Sequence, residues 1–410
     1  MSRLDELIQE LCPDGVEYKK LGEVATVSRG GSFQKKDYVE DGVPCIHYGQ
    51  IYVHYNLFVD KTISFISEET AKKQKFAEPN DVIMAVTSEN LDDVCKCVAW
   101  LGTGKVAVSG HTAIIHHTLH PKYLVYYLHS SMFYAQKAKL AHGTKVIEVT
   151  PATLENVIIP VPPIEIQREI VRILDNFTEL SAELSAELSA RQKQYSFYRD
   201  MLFSFDNGTA MVELGTIADI KGRIGFRGYT SKDMVEKGAG AISLSPGNIQ
   251  NNTLVFNDDT YISWEKYYES PEIMIEESDI ILCKTGSTLG KVAIVDFLPD
   301  RTTLNPQLVV LKNLRCNHRY LKHYMTTHVF QSEIQRRKGL GSVPNISQKE
   351  IGSIRIPLPI IEKQNEIAQI LDRFDTLCND LSSGLPAEIE ARRKQYEYYR
   401  DKLLTFKPLA

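Results

Sequence analysis

A long helical motif that occurs twice constrains the fold of this chain more than any other feature. Residues 158–205 begin IIPVPPIEIQREIVRILDNF and end RQKQYSFYRDMLFSF, and residues 355–406 begin RIPLPIIEKQNEIAQILDRF and end RRKQYEYYRDKLLTF. Matching residues are 197 positions apart at the start of the motif and 201 apart at its end, so the second copy is four residues longer. The fold must therefore accommodate two long and related helical segments.

The first copy has the residue spacing of a coiled-coil helix. Apolar residues alternate in steps of four and three from Ile166 to Leu184, one additional step of four follows, and the alternation resumes at Arg191. The additional step lies in a literal repeat, SAELSAELSA. In the second copy Leu385 and Pro386, which follow Gly384, fall at the corresponding place, and a proline there should kink or split the helix.

Two such helices, nearly 200 residues apart, predict a pair of helices packed against each other as a spacer. For one copy taken alone, an ordinary amphipathic core helix is the simpler interpretation. The residues that we assign to the spacer and subunit-interface helices are Ile166, Ile170, Phe177, Leu180, Leu184, Leu188, Tyr195 and Tyr198 in the first copy and Ile367, Phe374, Leu377, Tyr396 and Tyr399 in the second.

The duplication extends to the regions that precede the helices. LGEVA at 21–25 matches LGTIA at 214–218, and NDVIM at 80–84 matches SDIIL at 278–282. The period is far too long for a solenoid, so each half is a globular region followed by a long helix. We predict four segments, which are a globular region at 1–157, a helix at 158–206, a second globular region at 207–354 and a second helix at 355–410.

The globular regions are predicted to be mixed α/β domains related by an internal pseudo-two-fold repeat. Short β-rich runs lie between Gly-, Ser- and Asn-rich turns, and longer helical stretches follow them. We expect strands at 82–86, 113–117, 279–283 and 308–311 and helices at 123–140 and 320–338. The loops match far less well than these elements, which predicts one scaffold that reads two different targets.

Composition indicates a globular protein of a reducing compartment. Of 410 residues 43% are hydrophobic and 24% charged, the N-terminus MSRLDELIQE does not resemble a signal peptide, and no apolar run is long enough to cross a bilayer. Seven scattered cysteines fit the cytoplasm, and Cys95 and Cys97 are interpreted as strand residues. A net charge of −5 neither indicates nor excludes nucleic-acid binding, because the local field matters more than the sum.

The repeated motifs resemble the specificity subunit of Type I restriction–modification enzymes. PLPIIEKQNEIAQILDRF, KQYEYYRDKLL and the two-fold repeat carry the resemblance, which covers essentially the whole chain. It implies two target-recognition domains that each bind one half of a bipartite double-stranded DNA site, with two long antiparallel helices between them. It also implies two methylating subunits and two restriction and translocase subunits as partners.

The resemblance implies no cofactor in this chain, since S-adenosylmethionine, ATP and magnesium would be used by the other subunits. The residues agree that no catalytic site and no metal site should be present. The glycine-rich run from Gly286 to Lys291 is one residue too short for a phosphate loop and is followed by Val292, where a Ser or Thr should bind magnesium. Asp14 and Glu17 are too close in sequence to lie on the two strands that a nuclease site would need.

Sequence-specific contacts should come from polar side chains in the aligned loops. At base edges Arg pairs with guanine, and Asn or Gln pairs with adenine, whereas Lys, Arg, Ser, Thr and main-chain N–H groups bind phosphates. The candidate DNA-binding residues are Arg29, Ser32, Tyr48, Gln50, Ser88, Asn90 and Lys145 in the first half and Arg223, Arg227, Asn248, Lys284, Ser287 and Lys291 in the second. For any one of them, a structural role in a turn is the simpler interpretation.

Two other functions are compatible with the residues alone. A coiled-coil adaptor that binds only proteins would use the helices without any selective DNA contact. A stand-alone nuclease or NTPase would use the imperfect motifs around Lys19 or Lys291 and would act in the absence of any other subunit.

Overall fold

The two halves of the chain build related, but not identical, series of helices and strands. The computed structural model describes residues 2–206, 208–224, 228–257, 259–339, 341–379 and 383–409. The helices of the first half are α1 (Arg3–Leu11), α2 (Leu21–Val24), α3 (Tyr48–Val53), α4 (Glu68–Ala71), α5 (Pro121–Leu128), α6 (Ser131–Leu140), α7 (Pro151–Leu154) and α8 (Ile164–Leu202). Those of the second half are α9 (Leu214–Ile217), α10 (Trp264–Tyr268), α11 (His318–Met325), α12 (His328–Arg337), α13 (Gln348–Gly352), α14 (Ile361–Asn379) and α15 (Leu385–Leu403).

The strands are short, and those at the centres of the larger sheets are buried. The first half contains β1 (Tyr18–Lys20), β2 (Ala25–Arg29), β3 (Tyr38–Val39), β4 (Val43–Ile46), β5 (Phe58–Val59), β6 (Ser64–Ile66), β7 (Lys75–Ala77), β8 (Val82–Ala85), β9 (Thr87–Ser88), β10 (Cys97–Trp100), β11 (Val106–Val108), β12 (Thr112–His117), β13 (Ile147–Glu148) and β14 (Ile158–Pro160). The second half contains β15 (Met211–Glu213), β16 (Asp219–Lys221), β17 (Met234–Val235), β18 (Gly240–Leu244), β19 (Ile249–Gln250), β20 (Thr253–Leu254), β21 (Tyr261–Ser263), β22 (Ile280–Cys283), β23 (Val292–Ile294), β24 (Thr302–Leu304), β25 (Leu308–Lys312) and β26 (Arg355–Pro357).

Each globular region is built on two larger sheets, and their strand orders correspond over four strands. In the first region the orders are β2-β12-β8-β10-β5 and β3-β6-β4-β11-β7. In the second region they are β16-β25-β22-β23 and β17-β21-β18-β24. The registers Ile114↔Ile83 and Ile281↔Val310 place buried apolar side chains along the central strands. The prediction of a duplicated mixed α/β domain is therefore confirmed.

The helices predicted at 123–140 and 320–338 are each two helices. The Ser130 hydroxyl accepts the backbone N–H of Phe133, and the Thr327 hydroxyl accepts that of Phe330, so each residue caps a new helix. The prediction of a single helix was wrong in both places. The apolar residues keep a helical period across the break, but the capping residue interrupts the backbone hydrogen bonds of the helix.

The same side-chain bonds recur in both halves and explain why the motif repeats. Gln167 Oε1 accepts the backbone N–H of His120 at 2.8 Å, and Gln364 Oε1 accepts that of Asn317 at 2.8 Å. The Nε2 group of each glutamine donates to the carbonyl of the proline five residues earlier, at 2.8 and 2.7 Å. Each glutamine thus ties the start of a long helix to the helix of the globular region that packs against it.

The chain forms two compact units that do not coincide with its two sequence halves. One unit comprises Met1–Glu183 and Ile389–Ala410, and the other comprises Leu184–Glu388. Each unit therefore contains one globular region, the start of the helix that follows it and the end of the other long helical stretch. The four segments predicted from the sequence remain a proposal.

The first long helix is confirmed as the 39-residue helix α8. Its first turns are core rather than spacer, because Ile166, Ile170 and Leu174 are fully buried in the apolar cluster of the first unit. The second long helix is confirmed to be broken, since α14 ends at Asn379 and α15 begins at Leu385.

Parts of the two helical stretches pack against each other within each unit, and in the second unit they run in opposite directions. In the second unit Phe374 lies 5.9 Å from the ring of Tyr198, while Arg191, which precedes Tyr198, acts electrostatically on Cys378, which follows Phe374. In the first unit Phe177 stacks on Tyr399 with ring centroids 5.5 Å apart. None of the helices in the described part of the chain is long and apolar enough to cross a membrane.

Candidate nucleic-acid interface

An open groove of about 730 Å³ on the first unit collects three of the predicted DNA-binding residues. Arg29, Ser32 and Tyr48 line it. Sequence reasoning missed two other lining side chains of suitable chemistry, Lys35 and His111, because they lie outside the loops that align between the halves. The groove therefore presents cationic, hydroxyl and aromatic groups in one place, which is the chemistry that phosphates and base edges require.

The floor of the groove depends on two glycines that allow close backbone approach. A Cβ atom at Gly30 would lie 2.0 Å from the carbonyl oxygen of Ser109, and one at Gly31 would lie 2.2 Å from Gln74 Oε1. Gln74 Oε1 also accepts the backbone N–H of Ser32 at 2.7 Å. These contacts fix the loop that carries Ser32 and leave its exposed hydroxyl at the groove.

Arg29 stands at the end of β2 and is held by two protein acceptors. Its Nε–H donates to the carbonyl of Gly110 at 3.1 Å, and its Nη2 donates to Glu148 Oε1 at 2.7 Å. The Arg29 side chain is nevertheless 50% exposed. An arginine that is both oriented and exposed can still present donors to a ligand.

Three rings stand beside one another at the groove wall. The Tyr48 ring lies 4.4 Å from that of His47 and 5.0 Å from that of His111, measured between centroids. Burial lowers the pKa of His47, with smaller contributions from nearby Lys35 and His111. His47 Nδ1 accepts the backbone N–H of Gly49, which requires this nitrogen to be unprotonated. His47 therefore supports the wall as a neutral ring, whereas Tyr48 is partly accessible.

Two of the predicted adenine readers instead cap short helical turns. Gln50 accepts the backbone N–H of His47 and donates to Ser64, and Asn248 accepts that of Ser245 and donates to Val255. Both amides are buried, with 6% exposure each. We therefore withdraw Gln50 and Asn248 as DNA contacts. The sequence contains a pattern that predicts this role. In each case a polar residue is followed three positions later by Gln or Asn, which is the spacing of a capping box.

Arg223 is a structural arginine rather than an accessible one. It is 3% exposed, its Nε–H donates to the carbonyl of Leu304, and its Nη2 donates to Thr303 Oγ1. Burial lowers the pKa of Arg223. We withdraw it as a DNA contact, because reaching a base would break these bonds. Arg227, its predicted partner, lies outside the described residues.

The remaining candidates of the first unit do not line the groove. Ser88 pairs with Ile147 in the β9–β13 ladder, and the exposed Lys145 lies two residues before Ile147. Asn90 is exposed, but it forms two hydrogen bonds with Asp93 that stabilise the turn in which both residues lie. Ser88 and Lys145 thus stay candidates, and Asn90 has a structural role.

In the second unit the glycine-rich run forms a hairpin and not a phosphate loop. Residues 284–291 connect β22 to β23, whereas a phosphate loop leads into a helix whose N-terminus faces the anion. Lys291 Nζ donates to the carbonyl of Ile249 at 3.3 Å. Ser287 is exposed and Lys284 is partly exposed, so these two remain candidates.

The other motifs that could suggest catalysis have structural partners. Lys19 forms an ion pair with Glu17 at 3.0 Å, and His116 Nδ1 lies 2.7 Å from Asp81. Cys97 begins β10, but Cys95 precedes the strand, so the prediction that both are strand residues was wrong for Cys95. Within the described ranges, no group of His, Cys, Asp and Glu is placed to hold a metal ion.

The spacer-helix residues fall into three environments. Ile166, Ile170 and Ile367 belong to the cores of their units, as does Tyr195. The aromatic contacts between helical stretches involve Phe177, Tyr198, Phe374 and the partly exposed Tyr399, whereas the ring of Tyr396 contacts Tyr126 of α5. Leu184 and Leu188 are half-buried, and Leu180 and Leu377 are exposed to 37% and 39%.

Comparison with known proteins decides the family. A family model described as the Type I restriction modification DNA specificity domain matches the chain twice, over residues 13–191 and 208–391. The chain belongs to this family. The predictions of a Type I specificity subunit, and of a DNA-recognition component rather than an enzyme, are thereby confirmed.

Two relatives of this specificity family carry the same designation. The specificity subunit of the type I restriction enzyme EcoR124I/EcoR124II from Escherichia coli is 38% identical over 252 residues, which are 60% of this chain and 61% of that protein. The type I restriction enzyme MpnII specificity subunit from Mycoplasma pneumoniae is 31% identical over 223 residues, which are 53% of this chain and 62% of that protein. The chain thus spans about three fifths of each of these relatives.

Two solved structures from Type I restriction–modification systems share the fold over nearly the whole chain. The S subunit of a Type I restriction–modification system from M. genitalium matches with a TM-score of 0.52 and 15% identity, covering 95% of this chain and 96% of that one. A chain from a structure on complex assembly and conformational transition of the type I system matches with a TM-score of 0.65 and 16% identity, covering 96% and 98%.

Proposed function

We propose that each globular region of this specificity subunit reads one half of a bipartite double-stranded DNA site. The first region, 1–157, would read one half-site and the second, 207–354, the other. The helical segments at 158–206 and 355–410 would set the length of the unread gap between them. The reading residues of the first unit would be Arg29, Ser32, Tyr48, Ser88 and Lys145, and those of the second Lys284 and Ser287.

One observation carries this proposal, which is that the scaffolds agree while their surfaces differ. The first four strands of each large sheet in the first unit correspond in order to the four strands of the matching sheet in the second unit. At matching positions, however, the first unit has helix α3 and the second has the turn Pro246–Asn248 followed by the β19–β20 hairpin. A duplicated scaffold with different surface segments can present two different sets of donors and acceptors to DNA.

We propose further that two methylating subunits and two restriction and translocase subunits assemble on this chain in the cytoplasm. S-adenosylmethionine, ATP and magnesium would be bound by those partners. Phe197 and Tyr398, which occupy matching positions in the two motifs, are 66% and 62% exposed. Large exposed aromatic side chains favour protein contact, and two equivalent positions suit two copies of a methylating subunit.

Co-expression of the chain with its methylating subunit, followed by genome-wide mapping of methylated adenine, tests the proposal. We expect one motif with two specified half-sites and a fixed gap. Methylation without sequence preference would favour a protein-binding adaptor. Magnesium-dependent cleavage by the chain alone, lost in Lys19→Ala or Lys291→Ala, would favour a nuclease.

A further inference from the structure

We infer that Arg29 reads a guanine in the half-site of the first unit and that Glu148 is the residue that positions it for this task. The inference rests on the proposed function and assigns one base contact within it. It follows from the geometry of the guanidinium group, from the charge beside it and from the rigidity of the elements that hold both residues.

The guanidinium of Arg29 retains donors that suit a guanine. Arginine carries five N–H bonds in a fixed plane. Two of them are engaged, by Gly110 and Glu148, and Arg29 has no other partner among the residues that the structure describes. Three N–H bonds remain, two on Nη1 and one on Nη2. Guanine presents two adjacent acceptors, N7 and O6, in the major groove, and this pair of acceptors matches two neighbouring donors.

The carboxylate of Glu148 favours a base over a phosphate. A phosphate bound to Arg29 would lie close to this second negative charge, and like charges at short range repel. A base edge is neutral and incurs no such penalty. The ion pair also lowers the net positive charge available for attracting the DNA backbone without sequence preference. The Arg29–Glu148 pair is therefore better suited to selecting a base than to general affinity.

Both partners are held by regular structure, so the arginine is oriented before DNA arrives. Arg29 pairs with Ala113 in the β2–β12 ladder. Glu148 pairs with Thr87 and exchanges two backbone bonds with His142, at 2.8 and 3.0 Å. Fixing the side chain in advance removes most of the rotamer entropy that a free arginine would lose on binding. Glu148 thus acts through Arg29 and does not itself contact the base.

Synthetic duplexes with the mapped motif provide the test in the complex of the chain with its methylating subunits. Each guanine of the first half-site is replaced in turn by 7-deazaguanine, which lacks N7. We expect the wild-type methylation rate to fall about tenfold at one guanine. Arg29→Ala should lose a similar factor on the natural duplex and become insensitive to 7-deazaguanine at that position. Glu148→Gln should relax the preference at the same base by a smaller factor, because the arginine remains.

A second ion pair, between Lys105 and Glu78, gives a matched control. Its N and O atoms are 2.5 Å apart, and both side chains are exposed. In the chain, β11 separates Lys105 from the groove residue Ser109. Glu78→Gln should leave every base preference unchanged. Three results would overturn the inference. The first is a first half-site that contains no guanine, and the second is that Arg29→Ala reduces the methylation rate equally on all sequences. The third is that Arg29→Ala and Glu148→Gln both leave the base preferences of the complex unaltered. Absence of a bipartite motif with the wild-type complex would instead overturn the proposed function on which it rests.

Discussion

The hydroxyl of Tyr195 lies 3.2 Å from Nδ1 of His323 in the buried core of the second unit. Tyr195 belongs to α8, the helix that begins in the core of the first unit, and His323 belongs to α11. Asp372 completes the set, with Oδ1 2.7 Å from Nε2 of His323. The second globular region therefore includes in its core a helix that is contributed by the first half of the sequence.

This relationship predicts that changes in Tyr195 destabilise the second unit only. Tyr195→Ala should cost about 3–5 kcal/mol through the cavity it leaves. Tyr195→Phe should cost about 1–3 kcal/mol, because a buried ring nitrogen of His323 loses its partner. Hydrogen exchange of His318–Met325 should accelerate, while that of Pro121–Leu128 in the first unit stays unchanged.

The neighbouring Phe197 supplies the control for this experiment. It lies on the same helix and is 66% exposed, so Phe197→Ala should change stability by no more than about 0.5 kcal/mol. Equal acceleration of exchange in both units after Tyr195→Ala would show that the units do not unfold separately and would contradict the prediction.

Histidine burial predicts that the first unit loses stability at mildly acidic pH. The pKa of His129 is lowered from 6.5 to about 4, chiefly by burial and to a smaller extent by the cations Arg400, Lys137 and Lys96. Its Nδ1–H donates to the carbonyl of Val125 at 2.9 Å, which opposes the shift in part, but burial dominates and the folded unit favours the neutral ring. Between pH 6.5 and 4 the unfolded chain binds a proton that the folded chain does not, so stability falls as pH falls through this window.

Urea denaturation at several pH values measures this effect. The wild-type chain should lose stability from pH 6.5 to about 4, and His129→Gln should flatten that dependence. His54→Gln, at an exposed position, should leave the slope as it is. His117, whose pKa burial also lowers to about 4, should contribute a residual slope in His129→Gln. A slope that His129→Gln leaves unaltered would refute this assignment.

Much of this architecture is predictable from the sequence, because the repeated residues form the same contacts in both halves. Gln167 and Gln364 recur since each ties a helix start to its globular region. The reading surface is far less predictable. Gln50 looks like an adenine reader in the sequence but is a buried cap. The Arg29–Glu148 pair joins residues 119 positions apart, and no local pattern marks such a contact.

The SAEL repeat predicts a gap that follows helix length. Helix α8 runs without interruption through residues 181–184, so deleting them should shorten it by about 6 Å at 1.5 Å per residue. Four residues turn roughly 400°, so the far end also rotates by about 40°. One base pair of DNA advances about 3.4 Å and turns about 34–36°. Rotation therefore favours removal of one base pair, whereas translation alone would favour two.

We give more weight to rotation, because a domain that faces the wrong side of the groove reads nothing, whereas DNA bending can absorb a few ångströms. Methylation mapping of the deletion variant should show the same half-sites with a gap one base pair shorter. Ala182→Gln combined with Ala186→Gln, at exposed positions of the same helix, keeps its length and should keep the gap. An unchanged gap in the deletion variant would refute the role of the helix in spacing.

Exchange of one globular region tests the independence of the two readers most directly. Residues 16–155 are replaced by the matching region of another member of the specificity family, and methylated adenines are mapped in the complex with methylating subunits. We predict a new first half-site, an unchanged second half-site and an unchanged gap. A simultaneous change in both half-sites would contradict the account of two separate reading units on one duplicated scaffold.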